Sequence, residues 1–131
     1  MRILALDYGS ARTGVAVSDP TGTLARPLEV ILRAATHAGL ARIAALVAEH
    51  EAELVVVGLP LTLRGEHGEQ ARETERFVTA LRGVLAVPVE TFDERFTTTL
   101  AAQSPSSGAE EDARAAAHLL SSYLEWSRGR S

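Results

Sequence analysis

Cysteine is absent from the 131 residues. That excludes a disulfide framework, a thiolate metal site and a cysteine nucleophile. Lysine is absent too, and all thirteen basic residues are arginine. Arginine grips phosphate through two parallel hydrogen bonds where lysine offers a point charge, but biased codon usage is the simpler cause and nothing further rests on it. Aromatic residues make up 5% of the chain, too few for a platform that stacks successive bases of a single strand. No apolar run approaches the ~20 residues of a membrane helix, and the first residues enter a strand-like pattern without a signal peptide. A cytoplasmic chain with no membrane partner is therefore expected. A basic excess is also missing. The net charge is −4, against a generic nucleic-acid coat. Its distribution is uneven: residues 1–46 carry five arginines against three acids, and residues 47–131 carry eight against fourteen.

What is present is ordinary globular material, 46% hydrophobic and 23% charged, sufficient for one domain over residues 1–131 with its own core. "RILALD" (2–7) and "GVAVSD" (14–19) read as two strands of a hairpin. "LARPLEVILR" (24–33) reads as a third strand, where Pro27 points to an edge position or a bulge. Residues 38–49 place Leu40, Ile43, Leu46 and Val47 at helical spacing behind Thr36 as N-cap. "AELVVVGLP" (52–60) is a nearly continuous apolar run, the pattern of a central strand covered on both faces. A helix over 66–83 turns Thr74, Phe77, Val78 and Leu81 inward and stops at Gly83. "VPVETF" (87–92) is a fifth strand, and a helix over 109–126 buries Ala113, Ala116, Ala117, Leu120 and Leu124. A hairpin followed by βα alternation predicts an α/β fold, a five-stranded mixed sheet flanked by helices.

Chemistry in such sheets collects at the carboxyl ends of the strands. Asp7 ends the first strand, Asp93 and Glu94 end the fifth, and Asp112 falls in the first turn predicted for the last helix. Converging carboxylates without cysteine or a histidine cluster suit hard cations, Mg²⁺ or Mn²⁺. Two such ions about 4 Å apart activate water and stabilise the leaving oxygen of a phosphodiester. Each acid also has a plainer reading. A strand-end Asp shapes turns, Asp112 beside Glu110 and Glu111 complements a helix dipole, and "DER" can be a surface ion pair. Gly9 allows a sharp turn beside Asp7, and Gly58 permits close approach at the exit of the fourth strand. Arg12, Arg64 and Arg95 bring positive charge to the same edge, as a polyanionic substrate requires. Asp19 belongs with the "DPTG" turn. His67 is a loop histidine, and His37, His50 and His118 share no motif.

Together, "LDYGSARTGVAVSD", "VVVGLP", "DERFTT" and "DARAAAHLLSSYL" resemble the YqgF family, also called RuvX, small bacterial proteins of ribonuclease H-like fold. The likeness covers nearly the whole chain, in order. It implies a metal-dependent nuclease site holding one or two Mg²⁺ or Mn²⁺ ions. By the resemblance Asp7 is the first-strand ligand and Asp112 the final-helix ligand. The remaining carboxylate comes from "DER": Glu94, whose longer side chain reaches back over the strand end, or Asp93. Related junction-resolving nucleases carry a glutamate after the fourth strand, where this chain has "GLP". Members of the family usually carry a longer, basic stretch before the last helix, where this chain has the short, acidic "AAQSPSSGAEED".

The family has been connected with maturing the 5′ end of pre-16S rRNA and with cutting four-way DNA junctions. The nucleic-acid partner implied is thus pre-rRNA or branched DNA. The junction role would need a homodimer with two symmetric sites, and the RNA role fits an acidic chain without a basic, junction-spanning face. Arg12, Arg64 and Arg95 would hold flanking phosphates in either case. Two rivals stand beside the nuclease. "DYGSARTG" also resembles the phosphate loop of sugar kinases and actin-like ATPases, which need a second domain to close on a nucleotide. A binding module for ribosome assembly, its carboxylates without metal affinity, is the non-enzymatic alternative.

Overall fold

The first hairpin sets the sheet. The β-branched and apolar runs at Ile3–Asp7 (β1) and Arg12–Ser18 (β2) pair antiparallel, with Asp7 opposite Gly14. The computed structural model describes residues 1–61, 67–94 and 108–129. Ala25–Leu32 (β3) adds antiparallel to the outer side of β2, and the register slips at Leu28 so that Val15 faces Glu29 and Ala16 faces Pro27. Pro27 thus sits beside a bulge on an edge strand, where its missing N–H costs the ladder least. Leu54–Leu59 (β4) joins β1 in parallel and Val89–Asp93 (β5) joins β4 in parallel, giving the order β3-β2-β1-β4-β5. β4 is buried along its whole length, as an apolar run covered on both faces must be.

Alternation along the strands divides the core into two layers. Leu4 and Leu6 of β1, with Val55 and Val57 of β4, pack under α1 (His37–Glu49) and α2 (Glu69–Val84) through Ile43, Leu46, Phe77, Val78 and Leu81. Ile3 and Ala5, with Ala16 and Val56, pack under α3 (Gly108–Arg128) through Ala116, Leu119, Leu120, Tyr123 and Leu124. Thr36 caps α1 as its spacing predicts, its Oγ1 accepting from the Gly39 N–H at 3.2 Å. Arg82 closes the end of α2 onto β5 by donating to the Val89 carbonyl at 2.7 and 3.2 Å.

Two expectations are corrected. Gly83 does not stop α2, which runs on to Val84 and ends at Leu85, a residue in extended conformation. Gly83 has no positive φ, and its place in the last turn is taken without the left-handed cap that glycine usually supplies. Likewise α3 starts at Gly108, so Asp112 lies beyond the first turn, whose acids are Glu110 and Glu111. The helix-dipole role falls to those two, leaving Asp112 for other contacts. Glu66, predicted to open α2, and the "QSPSSG" loop up to 107 lie outside the described residues.

Candidate functional site

Asp7 is the last residue of β1, and the parity that sends Leu4 and Leu6 towards α1 and α2 turns it to the α3 side. Its two lateral neighbours at this edge are both glycines. Gly14 is its partner on β2, and Gly58 follows Val57, the partner of Leu6, on β4. Each missing side chain admits another carboxylate-bearing residue. A Cβ on Gly14 would collide with the backbone carbonyl of Asp112, so α3 reaches the sheet only because position 14 is bare. A Cβ on Gly58 would lie 2.9 Å from Oε1 of Glu94, 3.0 Å from its Cγ and 3.1 Å from its Cδ. The Glu94 side chain therefore stands over the end of β4, reached from the end of β5. Gly9 serves by closeness as well: a Cβ there would come within 2.5 Å of the Arg12 carbonyl.

The electrostatics follow from this crowding. Glu94 is pushed up to about 8 by burial first, then by the charge of Asp7, its hydrogen bond with Asp7, and the charge of Asp93. Asp7 is also raised above its ordinary value, mainly by burial and further by the charge of Asp112, while the hydrogen bond with Glu94 opposes the rise. Both carboxyls are thus raised together, as burial of two acids joined by one hydrogen bond requires. Asp112 meets Arg12, with Nε 3.1 Å from Oδ2. The N–H is not aligned for a hydrogen bond, and Oδ2 is buried without a hydrogen-bond partner.

The structure thus brings Asp7, Glu94 and Asp112 to one edge with Asp93 beside them, held by Gly58 and Gly14. Arg12 also reaches this edge, paired with Asp112. Arg64 and Arg95 lie outside the described residues. Among the described residues, no three or more His, Asp or Glu side chains are already spaced as a cation cage. The donor set nonetheless fits a hard divalent ion: the three side chains offer oxygen ligands only, and Asp112 Oδ2, beside Arg12, is buried without a hydrogen-bond partner. His67 faces Glu75 at 3.7 Å on the exposed side of α2. Asp19 accepts from Thr21 Oγ1 and from the Thr23 and Leu24 N–H groups, bonds that hold it down at about 2 and fix the turn after β2.

Sequence reasoning passed over Gly14, although an isolated glycine inside a strand pattern signals a close backbone approach. It also treated Arg12 as a phosphate ligand alone, and no local signal announces the Asp112 pairing.

A family model described as "RuvX: Holliday junction resolvase" matches residues 1–126. A protein of Chloroflexus aggregans named "Putative pre-16S rRNA nuclease" is 47% identical over 94% of this chain and 92% of its own. One of the same name from Rubrobacter xylanophilus is 45% identical over 98% and 95%. Among solved structures, Thermus thermophilus RuvC in complex with Holliday junction substrate superposes with a TM-score of 0.64 at 19% identity, covering 98% of this chain and 96% of that one. That likeness supports the ribonuclease H-like sheet that the strand order already displays, and no helix among the described residues is long and apolar enough to cross a membrane. The sheet order and the family match over residues 1–126 agree: this chain belongs to the RuvX family.

Proposed function

We propose that this chain is a divalent-metal-dependent nuclease that hydrolyses phosphodiester bonds in structured nucleic acid, with pre-16S rRNA near its 5′ end as substrate. The single observation that carries the reading is the placement of Asp7, Glu94 and Asp112 at one sheet edge, through gaps left by Gly58 and Gly14. Asp7, Glu94 and Asp112 are the metal ligands, and Asp93 contributes negative charge beside them. An Mg²⁺ or Mn²⁺ ion held there would supply a Lewis acid that activates water and offsets charge on the phosphate.

The chain's own residues do the rest. Asp7 is fixed by the strand it ends, which gives a ligand on a rigid element. Glu94 must lose its proton to become a ligand, so a cation competes with that proton and binds more tightly as pH rises. Arg12 neutralises Asp112 in the resting arrangement and is near enough to move onto a phosphate of the substrate. Arg64 and Arg95 extend this phosphate contact by their place in the sequence.

The relatives named for pre-16S rRNA support the RNA substrate. The family description and the RuvC–junction complex support a second reading, cleavage of four-way DNA by a homodimer. Cleavage assays with an RNA carrying a 5′ precursor extension and a four-way DNA junction, each with Mg²⁺, Mn²⁺ or EDTA, separate them. Preferential metal-dependent cutting of the RNA supports the first reading. Symmetric nicking of the junction by a dimer supports the second, and inertness towards both overturns the nuclease.

A further inference from the structure

The strand end that presents Asp7 towards α3 presents the next residue the other way. Tyr8 turns to the α1–α2 side, where its ring stacks on Phe77 with centroids 4.3 Å apart and planes 20° apart. It is only partly buried. Beside it lies a cleft of about 350 Å³ lined by Tyr8, Ala35, Glu73, Arg76, Phe77 and Ala80. Ala35 is also a wall of a second hollow, about 290 Å³, lined by Ser10, Arg33 and Thr36. The two hollows meet at Ala35 and together make a groove whose walls include Tyr8, next to Asp7 in the chain, and Ser10.

The chemistry along this groove is ordered. It has an aromatic face near the carboxylates, an arginine on α2 and an arginine after β3. The side chains of Arg33 and Arg76 have no ion-pair or hydrogen-bond partner among the described residues. Arg33 is held in a left-handed backbone conformation, φ +48°, and its N–H donates to the Ala11 carbonyl at 3.0 Å. That bond ties it to the hairpin turn that follows Asp7. Two uncommitted guanidinium groups beside a supported aromatic ring complement a base and its flanking phosphates. Glu73, one turn from Arg76, offers an acceptor to the amino edge of a base and keeps phosphate away from that wall.

We propose that this groove is a subsite for an unpaired nucleotide of the substrate, with the base stacked on Tyr8 and the adjoining phosphates on Arg76 and Arg33. It deepens the nuclease reading and rests on it. The site is on the opposite face of β1 from Asp7, so a strand entering it crosses the end of β1 before reaching the carboxylates. A low aromatic content rules out a run of stacked bases; one supported ring suffices for one nucleotide. The subsite selects a flexible single-stranded extension over a fully paired end.

The test is binding of two fluorescein-labelled RNA hairpins in EDTA, one with a 5′ single-stranded extension and one blunt. Tyr8→Leu weakens binding of the extended hairpin by about tenfold, the order expected for a lost base–aromatic stack, and changes the blunt hairpin less than twofold. Tyr8→Phe keeps the ring and binds like the unaltered protein. Arg76→Gln and Arg33→Gln each reduce the slope of log K against log salt by about 0.7. These two variants probe the groove without touching the Tyr8–Phe77 stack, and urea unfolding verifies that Tyr8→Leu is folded. Equal binding of the extended hairpin by Tyr8→Leu and the unaltered protein overturns the subsite, as does an equal loss on both hairpins or no binding of the extended hairpin at all. Because no cleavage is required, failure of the nuclease reading shows as absent cleavage with the binding differences intact, and failure of the subsite shows in the binding itself. Cleavage with unchanged binding would sink the subsite alone.

Discussion

Without a bound cation, the protein should lose stability as pH rises from 5 to 8, and the loss should trace to Glu94. Its carboxyl is raised from an ordinary 4.5 to about 8 by burial and by Asp7. A raised value means that the native state binds the proton more tightly than the unfolded chain. The stabilisation is therefore complete below about 4.5 and disappears as pH climbs through about 8. Unscreened, such a displacement corresponds to about 5 kcal/mol. Glu94 is partly exposed, and solvent screening cuts the expected loss to roughly 1–3 kcal/mol. Asp7 is raised in the same direction, mainly by burial. Glu94→Gln supplies an N–H to Asp7 at every pH, so its stability should be nearly flat over this range and exceed that of the unaltered protein at pH 8. Mg²⁺ competes with the Glu94 proton, so it should stabilise the unaltered protein more at pH 8 than at pH 5. Urea unfolding in EDTA at pH 5, 6, 7 and 8, repeated with Mg²⁺, measures all of this. Parallel stability curves for the two proteins would refute the reasoning.

Gly58→Ala pushes its Cβ into the Glu94 side chain, a flexible group that can swing aside. Stability should change by less than about 1 kcal/mol, while metal-dependent cleavage falls by about 10–100-fold, as for a misdirected ligand; unfolding and cleavage assays run side by side check the split. Gly14→Ala meets the backbone of α3, which cannot swing aside, so it should cost about 3 kcal/mol or more, read from the urea midpoint. Gly83→Ala meets nothing within 4 Å on an exposed helical turn, and should stabilise by about 0.5–1 kcal/mol, measured the same way.

Periodicity made most of the architecture legible. The nearly continuous apolar run 52–60 marked β4 as central, and the inward residues of α2 include the ones its spacing selects. Pro27 signalled both an edge strand and a bulge, because a missing N–H is tolerated only there. The ends of elements were less legible. Gly83 looked like a stop, yet Leu85 ends α2 by adopting an extended backbone, a choice set by the chain entering β5. The start of α3 at Gly108, one residue earlier than its sequence suggested, left Asp112 just past the first turn.

The site was legible as residue types at strand ends, and not as a constellation. "GLP" at the end of the fourth strand looked like a lost glutamate. The structure shows the bare Cα of Gly58 beneath Glu94, so a carboxylate from β5 stands where a side chain from β4 would be. No local pattern encodes that exchange, since the two residues meet only through the parallel pairing of β4 and β5. The pairing of Arg12 with Asp112 is hidden for the same reason, being a contact between a hairpin and a helix a hundred residues apart.

The most direct test of the account is single-turnover cleavage of the 5′-extended RNA by the unaltered protein and by Asp7→Asn, both in Mg²⁺ at pH 8. Asparagine keeps the shape of the strand end and removes the charge that a cation needs. The account predicts cleavage by the unaltered protein that EDTA abolishes, and a loss of at least about a hundredfold in Asp7→Asn with unfolding midpoints no lower than before. Cleavage by Asp7→Asn at an undiminished rate would contradict it, because the carboxylate at the end of β1 would then have no part in the chemistry.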